Sequence, residues 1–244
     1  MNELTDAMVV DAFVDYLAEE RHPGLHIESR PDVTNRSSAD IDTVAGPFAI
    51  EHTSIDTIEN QRRDGSWCGA VAERLEEAFR RRLRFRLRLI FPYEGIAAGQ
   101  DWDAIRDALG SWISEGVPTL PDGAHTTRVP GVPFELSVTK ESDRPPGIFC
   151  IRVAPPDDSL AERCGVILNR KAKKLQAYRA AGKTTVILLE SRDMALMNVN
   201  KLAEAVRDAF PSDLPDGVDE LWHADASVPA GMEFWNLGEM IRRK

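Results

Sequence analysis

Residues 37–54 read SSADIDTVAGPFAIEHTS. Asp40 and Asp42 lie two apart, as do Glu51 and Thr53. In an extended strand, residues two apart point to the same face. Ala45, Gly46 and Pro47 supply turn chemistry between the two runs. The stretch therefore predicts a β-hairpin with carboxylates on both arms. Paired arms would bring those carboxylates to one metal-sized spot. Such a donor set suits a hard cation such as Mg²⁺ or Mn²⁺, which takes a few protein oxygens and fills the rest of its shell with water.

Working outward, the chain on either side reads as alternating helices and strands. Residues 2–20 predict a helix, with Thr5 as N-cap and Met8, Val9, Ala12, Phe13, Tyr16 and Leu17 as an apolar stripe. Pro23 and Gly24 end it. A short strand is expected over 25–30, and a loop over 31–38. After the hairpin, 61–69 read as a polar loop or helix entry, and 71–82 as a helix. LRFRLRLIF at 83–91 alternates arginine with apolar residues, the mark of a strand with one buried and one basic face. Residues 101–115 predict a second amphipathic helix, and 132–139 and 148–153 two strands joined by a polar, proline-rich loop. A long helix is expected over 160–181, capped by Asp157 or Ser159, with Gly182 just past its end. TTVILLE at 184–190 is the strongest buried-strand signal. A helix over 199–210 and short strands over 218–223 and 233–237 complete the reading. The class is α/β, a mixed central sheet flanked by helices, taken as one domain.

Bulk properties narrow the function. At 244 residues the chain can bury a sizeable core. Its apolar content of 43% and charged content of 29% are those of a soluble globular protein. No apolar run is long enough to cross a bilayer, so no membrane partner is expected. The N-terminal residues lack the basic and apolar regions of a secretory signal. Cys68, Cys150 and Cys164 are scattered, without a CxxC pair, which implies reduced thiols and a cytoplasmic location. A net charge of -10 argues against a protein that simply coats phosphates. It is compatible with an enzyme whose metal supplies local positive charge. Gly182-Lys183-Thr184 resembles the tail of a P-loop, but Ala177 stands where a glycine is needed, and helix and strand come in the wrong order.

The order of helix, strand, Asp-then-Glu hairpin, later helix and buried strand resembles the PD-(D/E)XK nuclease superfamily. Asp40, Glu51 and the segment AIEHTS carry the resemblance. It implies a restriction-endonuclease-like core and a metal-dependent nuclease hydrolysing phosphodiester bonds of DNA or RNA. Met1–Glu20 would be the leading helix, and about 83–155 an insertion. Asp40 and Glu51 would be catalytic and hold Mg²⁺ or Mn²⁺, with the backbone carbonyl of His52 as a further ligand and Glu20 or Glu19 completing the shell. The family pattern ends in Glu-x-Lys, whereas Glu51-His52-Thr53 places threonine at its last position. Either the site is inactive or a cation comes from elsewhere.

The long helix offers one. Lys171, Lys174 and Tyr178 fall at i, i+3 and i+7, on one helical face. Some members of the superfamily carry the lysine on the helix after the hairpin. Others show Gln-x-x-x-Tyr there, and Lys174-x-x-x-Tyr178 has that spacing. Lys171 or Lys174 would then orient the water or stabilise charge on the phosphate. Asp42, Thr53 and Tyr178 are secondary candidates. Arg84, Arg86 and Arg88, with 80–82, would hold a nucleic-acid backbone.

Plainer readings stay open. An isolated Asp-x-Asp is commonly solvated, the lysines suit a solvated helix face, and the arginines could pair with acidic neighbours. Glu51 resists such a reading, because its strand is otherwise apolar and an unpaired buried carboxylate is costly. The alternatives are an inactive relative that binds nucleic acid or a protein partner, including a second copy of itself, and an unrelated α/β protein.

Overall fold

The hairpin forms. In the computed structural model, which describes residues 4–35, 40–193 and 195–242, β2 (Thr43–Ala45) pairs antiparallel with β3 (Phe48–Ser54). Ala45 opposes Phe48 and Thr43 opposes Ile50. Gly46 and Pro47 are thus a two-residue turn, which fixes the register. Gly46 sits at φ +49°, the left-handed region that favours glycine, and a β-carbon there would also push on Leu25 Cδ1, 2.9 Å away at the end of a movable side chain. Ser37 and Ser38, with the end of the expected 31–38 loop, lie outside the described residues, as does Asn2.

The chain divides into two compact units, one interrupting the other. The first runs to Glu59 and resumes at Asp157. Its elements are α1 (Asp6–Glu20), β1 (Ile27–Ser29), α2 (Pro31–Thr34), β2, β3, then α5 (Leu160–Ala180), β8 (Thr184–Ser191), α6 (Val199–Ala209), β9 (Glu220–Asp225), β10 (Glu233–Asn236) and α7 (Leu237–Arg242). The second, Asn60–Pro156, holds α3 (Gln61–Phe79), β4 (Arg86–Phe91), α4 (Trp102–Glu115), β5 (Gly123–Arg128), β6 (Glu135–Glu141) and β7 (Gly147–Arg152). The interruption starts at residue 60, ahead of α3, rather than at 83.

The first unit is an α/β sandwich on a six-stranded mixed sheet of order β1-β2-β3-β8-β9-β10. β3, β8 and β9 run parallel and the outer pairs antiparallel. Strand alternation sorts the core into two layers. Ala49, Ile187, Leu189 and Leu221 face one way, against Leu168, Ala172 and Leu175 of α5 and Leu202 and Val206 of α6. Ile50, Val186, Leu188 and Trp222 face the other way, against Val9, Val10, Phe13 and Leu17 of α1. All of β8 but its first residue is buried, as its apolar run predicts.

The second unit is a two-layer structure. Its four-stranded sheet, of order β5-β6-β4-β7, packs Leu87, Leu89, Leu136, Val138 and Ile148 against α3 and α4. One reading is decided here and one expectation corrected. The 61–69 segment, read as a loop or a helix entry, is the first half of α3, despite Gly65 and Gly69. Cys68, Val71, Ala72, Leu75 and Phe79 are buried at helical spacing, and that packing overrides the glycines. β5 was legible in no apolar pattern, since GAHTTR is held by its backbone ladder to β6. The expected 31–38 loop opens with the short helix α2, begun by Pro31. Among the described residues, no helix is long and apolar enough to cross a membrane.

Candidate functional site

Glu51 is the middle residue of β3 and is fully buried. By alternation it projects to the same face as Ala49, the face covered by α5. Left unpaired in an apolar layer, its charge would cost several kcal/mol. Two cations meet it there. Lys171 and Lys174 both donate to Glu51 Oε1, Lys174 at 2.8 Å and Lys171 in a still closer contact. Lys171 also donates to the His52 carbonyl at 2.9 Å, and Lys174 to the Asp40 carbonyl at 2.9 Å. The lysines reach in because Leu168, Ala172 and Leu175 seat the adjoining face of α5 on the sheet. Both cations that reach Glu51 therefore come from α5.

The hairpin register places the acids. Continued one step beyond Thr43–Ile50, it sets Asp42 across from Glu51 on the same face. Asp42 Oδ2 accepts the His52 amide at 2.6 Å. Burial and the negative charge of Glu51 raise the pKa of Asp42, against the pull of the His52 amide and Lys171. Asp40 stands farther along, half-buried. Its Oδ1 accepts the Tyr178 hydroxyl at 2.8 Å and the Ile41 amide at 2.9 Å. Burial pulls the pKa of Asp40 up, but these bonds, one with Asn35, and the charge of Lys174 outweigh it and hold it low. Burial and Asp40 together push the Tyr178 phenol up to about 12, so it stays a donor.

One atom stands out. Glu51 Oε2 is buried and has no hydrogen-bond partner among the described residues. Buried carboxylate oxygens are rarely left this way. An open carboxylate oxygen is the donor type a hard divalent cation takes, but among the described residues Asp40, Asp42 and Glu51 do not form a three-ligand cluster, and the His52 carbonyl already accepts from Lys171.

Of the residues singled out from sequence, the structure brings together Asp40, Asp42, Glu51, the His52 carbonyl, Lys171, Lys174 and Tyr178. Thr53, next on the same strand face, is half-buried. Glu19 and Glu20 do not join them. Both are exposed at the end of α1, and α1 covers the opposite face of the sheet. Arg86 and Arg88 lie on β4 in the second unit, with Arg84 just before it.

Sequence reasoning missed a second polar cluster on the α1 face. His52 projects there, and its Nε2 meets Glu190 Oε2 at 2.9 Å. Glu190 Oε1 accepts from Arg192, and Arg192 also faces Asp6 at 3.5 Å. Burial alone would raise the pKa of Glu190, but the bonds from His52 and Arg192 bring it down to about 2. Asp6, His52 and Glu190 offer ligand atoms within 4.8 Å of one another. Both Glu190 oxygens are already engaged, so this cluster satisfies itself. Its only sequence signal is a carboxylate closing an apolar run.

Comparison of the chain with models of known protein families, with curated proteins and with solved structures finds no match.

Proposed function

We propose that the first unit is a metal-dependent nuclease, hydrolysing phosphodiester bonds of DNA or RNA, with its centre at Glu51. The single observation that carries the reading is Glu51 Oε2, buried and without a hydrogen-bond partner among the described residues while its companion Oε1 takes both lysines. Asp42 and Glu51 would hold Mg²⁺ or Mn²⁺ with the His52 carbonyl. A bound ion of this kind supplies Lewis acidity toward a phosphoryl oxygen and lowers the pKa of a coordinated water. Lys171, anchored on Glu51 and the His52 carbonyl, is placed to orient the attacking water. Lys174 offers charge to the phosphoryl oxygens as negative charge builds up. Asp40 acts through position: Tyr178 and the Ile41 amide fix its carboxylate, and its carbonyl holds Lys174. Arg84, Arg86 and Arg88 would bind backbone phosphates.

A second reading has its own observation. Both lysines close on one oxygen of Glu51, an arrangement that also serves as a structural clamp in an inactive, nucleic-acid-binding relative. Incubation of the protein with single- and double-stranded DNA and RNA, with Mg²⁺ or Mn²⁺, separates the two. The nuclease reading expects cleavage of at least one polymer that Glu51→Gln abolishes, with calorimetric Mg²⁺ binding lost in the same variant. No cleavage of any polymer and no metal binding would sink it.

A further inference from the structure

The sheet of the second unit is covered on one face only. Helices α3 and α4 take the Leu87, Leu89, Leu136 and Val138 side. On the other side the register aligns a row running Ala124, Thr139, Arg88, Phe149 across all four strands, and beside it Thr126, Ser137, Ile90, Ile151. Small hydroxyl residues cover the β5–β6 half, leaving it low. Phe149 and Ile151 stand on β7, exposed at 45% and 40%. Apolar side chains this open on a flat face mark a contact surface. The Arg86 guanidinium lies over the Phe149 ring, 5.3 Å from its centroid, and Arg88 is the direct cross-strand neighbour of Phe149.

We propose that this open face is a platform for single-stranded nucleic acid, with a base stacked on Phe149 and the backbone phosphates held by Arg86 and Arg88. A flat ring accepts the face of any base, and neighbouring guanidinium groups stack or pair with phosphate. The local charge favours this occupant over the alternatives. Glu135 is paired with Arg128 at the β5–β6 corner, and Glu141 lies beside Arg86 at the far end. The charged groups that the register and ring geometry set next to the ring are Arg86 and Arg88, in a chain of net charge -10. In two copies packed face to face about a two-fold axis, the central β4 arginines would be brought toward each other. A duplex cannot present an unstacked base to the ring. The proposal rests on the nuclease reading only for the choice of polymer, and it adds single-strand preference and the residue that confers it.

The test is fluorescence anisotropy of the full chain with labelled oligodeoxythymidylate, oligouridylate and a duplex of matching length. EDTA is present throughout, so that cleavage plays no part. At low salt the protein is expected to bind at least one single strand more tightly than the duplex, and the better single strand names the sugar. Phe149→Ala should weaken that binding about tenfold, while Phe149→Trp keeps it. Arg88→Ala should flatten the salt dependence by roughly 0.7 in log–log slope. Phe149 is exposed, so all three variants are expected to melt like the wild type by circular dichroism. Val166→Ser, at an exposed position of α5 outside both sites, should bind as the wild type does. Ring-dependent binding without any Mg²⁺-dependent cleavage would remove the nuclease reading and leave the platform standing. The platform is overturned if no single strand binds, or if Phe149→Ala binds as tightly as the wild type. It is also overturned if sedimentation finds a dimer that Phe149→Ala converts to monomer.

Discussion

Two buried glutamates sit on neighbouring strands of one sheet and are treated in opposite ways. Glu190, at the end of β8, has a partner for each oxygen, and its carboxyl is held down at about 2. Glu51, on β3, has two ammonium groups on one oxygen and, among the described residues, no hydrogen-bond partner on the other. Both are fully buried. The difference teaches where stability ends and function begins. A carboxylate whose bonds are complete belongs to the fold. One with both bonds on one oxygen and an open second oxygen is the candidate for a ligand position, and that is the role proposed for Glu51.

The sharpest way to break the comparison is Glu51→Gln. It should remove cleavage and Mg²⁺ binding at a moderate cost in melting temperature, because Lys171 and Lys174 keep their bonds to the His52 and Asp40 carbonyls and the new amide oxygen can still accept from them. Large destabilisation with unchanged cleavage would make Glu51 a structural residue after all.

The converse change is Glu190→Gln. It removes the charge that both His52 and Arg192 bond to and should cost about 3–5 kcal/mol of stability, read by chemical denaturation. The same residue sets a pH window. The folded carboxyl titrates near 2, below its ordinary 4.5. A depressed carboxylate contributes stability that is complete above its unfolded value and is lost as pH falls through the folded one. Wild-type stability should therefore fall between about pH 4.5 and 2, by an amount on the order of 3 kcal/mol from this group. Glu190→Gln should flatten that part of the profile.

Lys171→Ala and Lys174→Ala come next. Each should lower the cleavage rate by about 10²–10³-fold with a smaller change in substrate affinity. Equal loss of affinity and no loss in rate would make the lysines mere anchors of the polymer.

The smallest effects sharpen the roles of the acids. Asp42→Asn should weaken Mg²⁺ binding more than Asp40→Asn does. Tyr178→Phe, which removes one bond to Asp40, should cost no more than about tenfold in rate. The reverse order for the two aspartates would return the second ligand position to Asp40.

Much of this was legible in the sequence. The hairpin, the buried strand TTVILLE, the amphipathic α1, α4 and α6, and the shared face of Lys171, Lys174 and Tyr178 all follow from periodicity and turn chemistry. The rank of Asp40 and Asp42 was legible in principle. A turn closed by Gly46 and Pro47 alone sets Asp42 opposite Glu51, and that register is what the residue spacing by itself does not state. The His52–Glu190–Arg192 network was not legible, because it depends on the parallel pairing of β3 with β8, and no local pattern encodes which strands become neighbours. For the same reason α3 read as half a helix: its first turns owe their conformation to what they pack against. β5 carries no apolar alternation, since it lies at the sheet edge and shows small polar residues to solvent.

The interrupted architecture has a consequence in time. Glu51 and Lys171 are 120 residues apart in the chain, and the whole second unit is synthesised between them. Pairings of such long range form late, whereas a contiguous unit can close on its own contacts. On the ribosome, the half of the site that carries the acids therefore emerges well before the half that carries the ammonium groups. Until α5 is made, Glu51 has no counter-charge and β3 has no parallel partner. A fragment ending anywhere in the second unit would carry the acids without their lysines, so the cluster around Glu51 cannot close until α5 has been made.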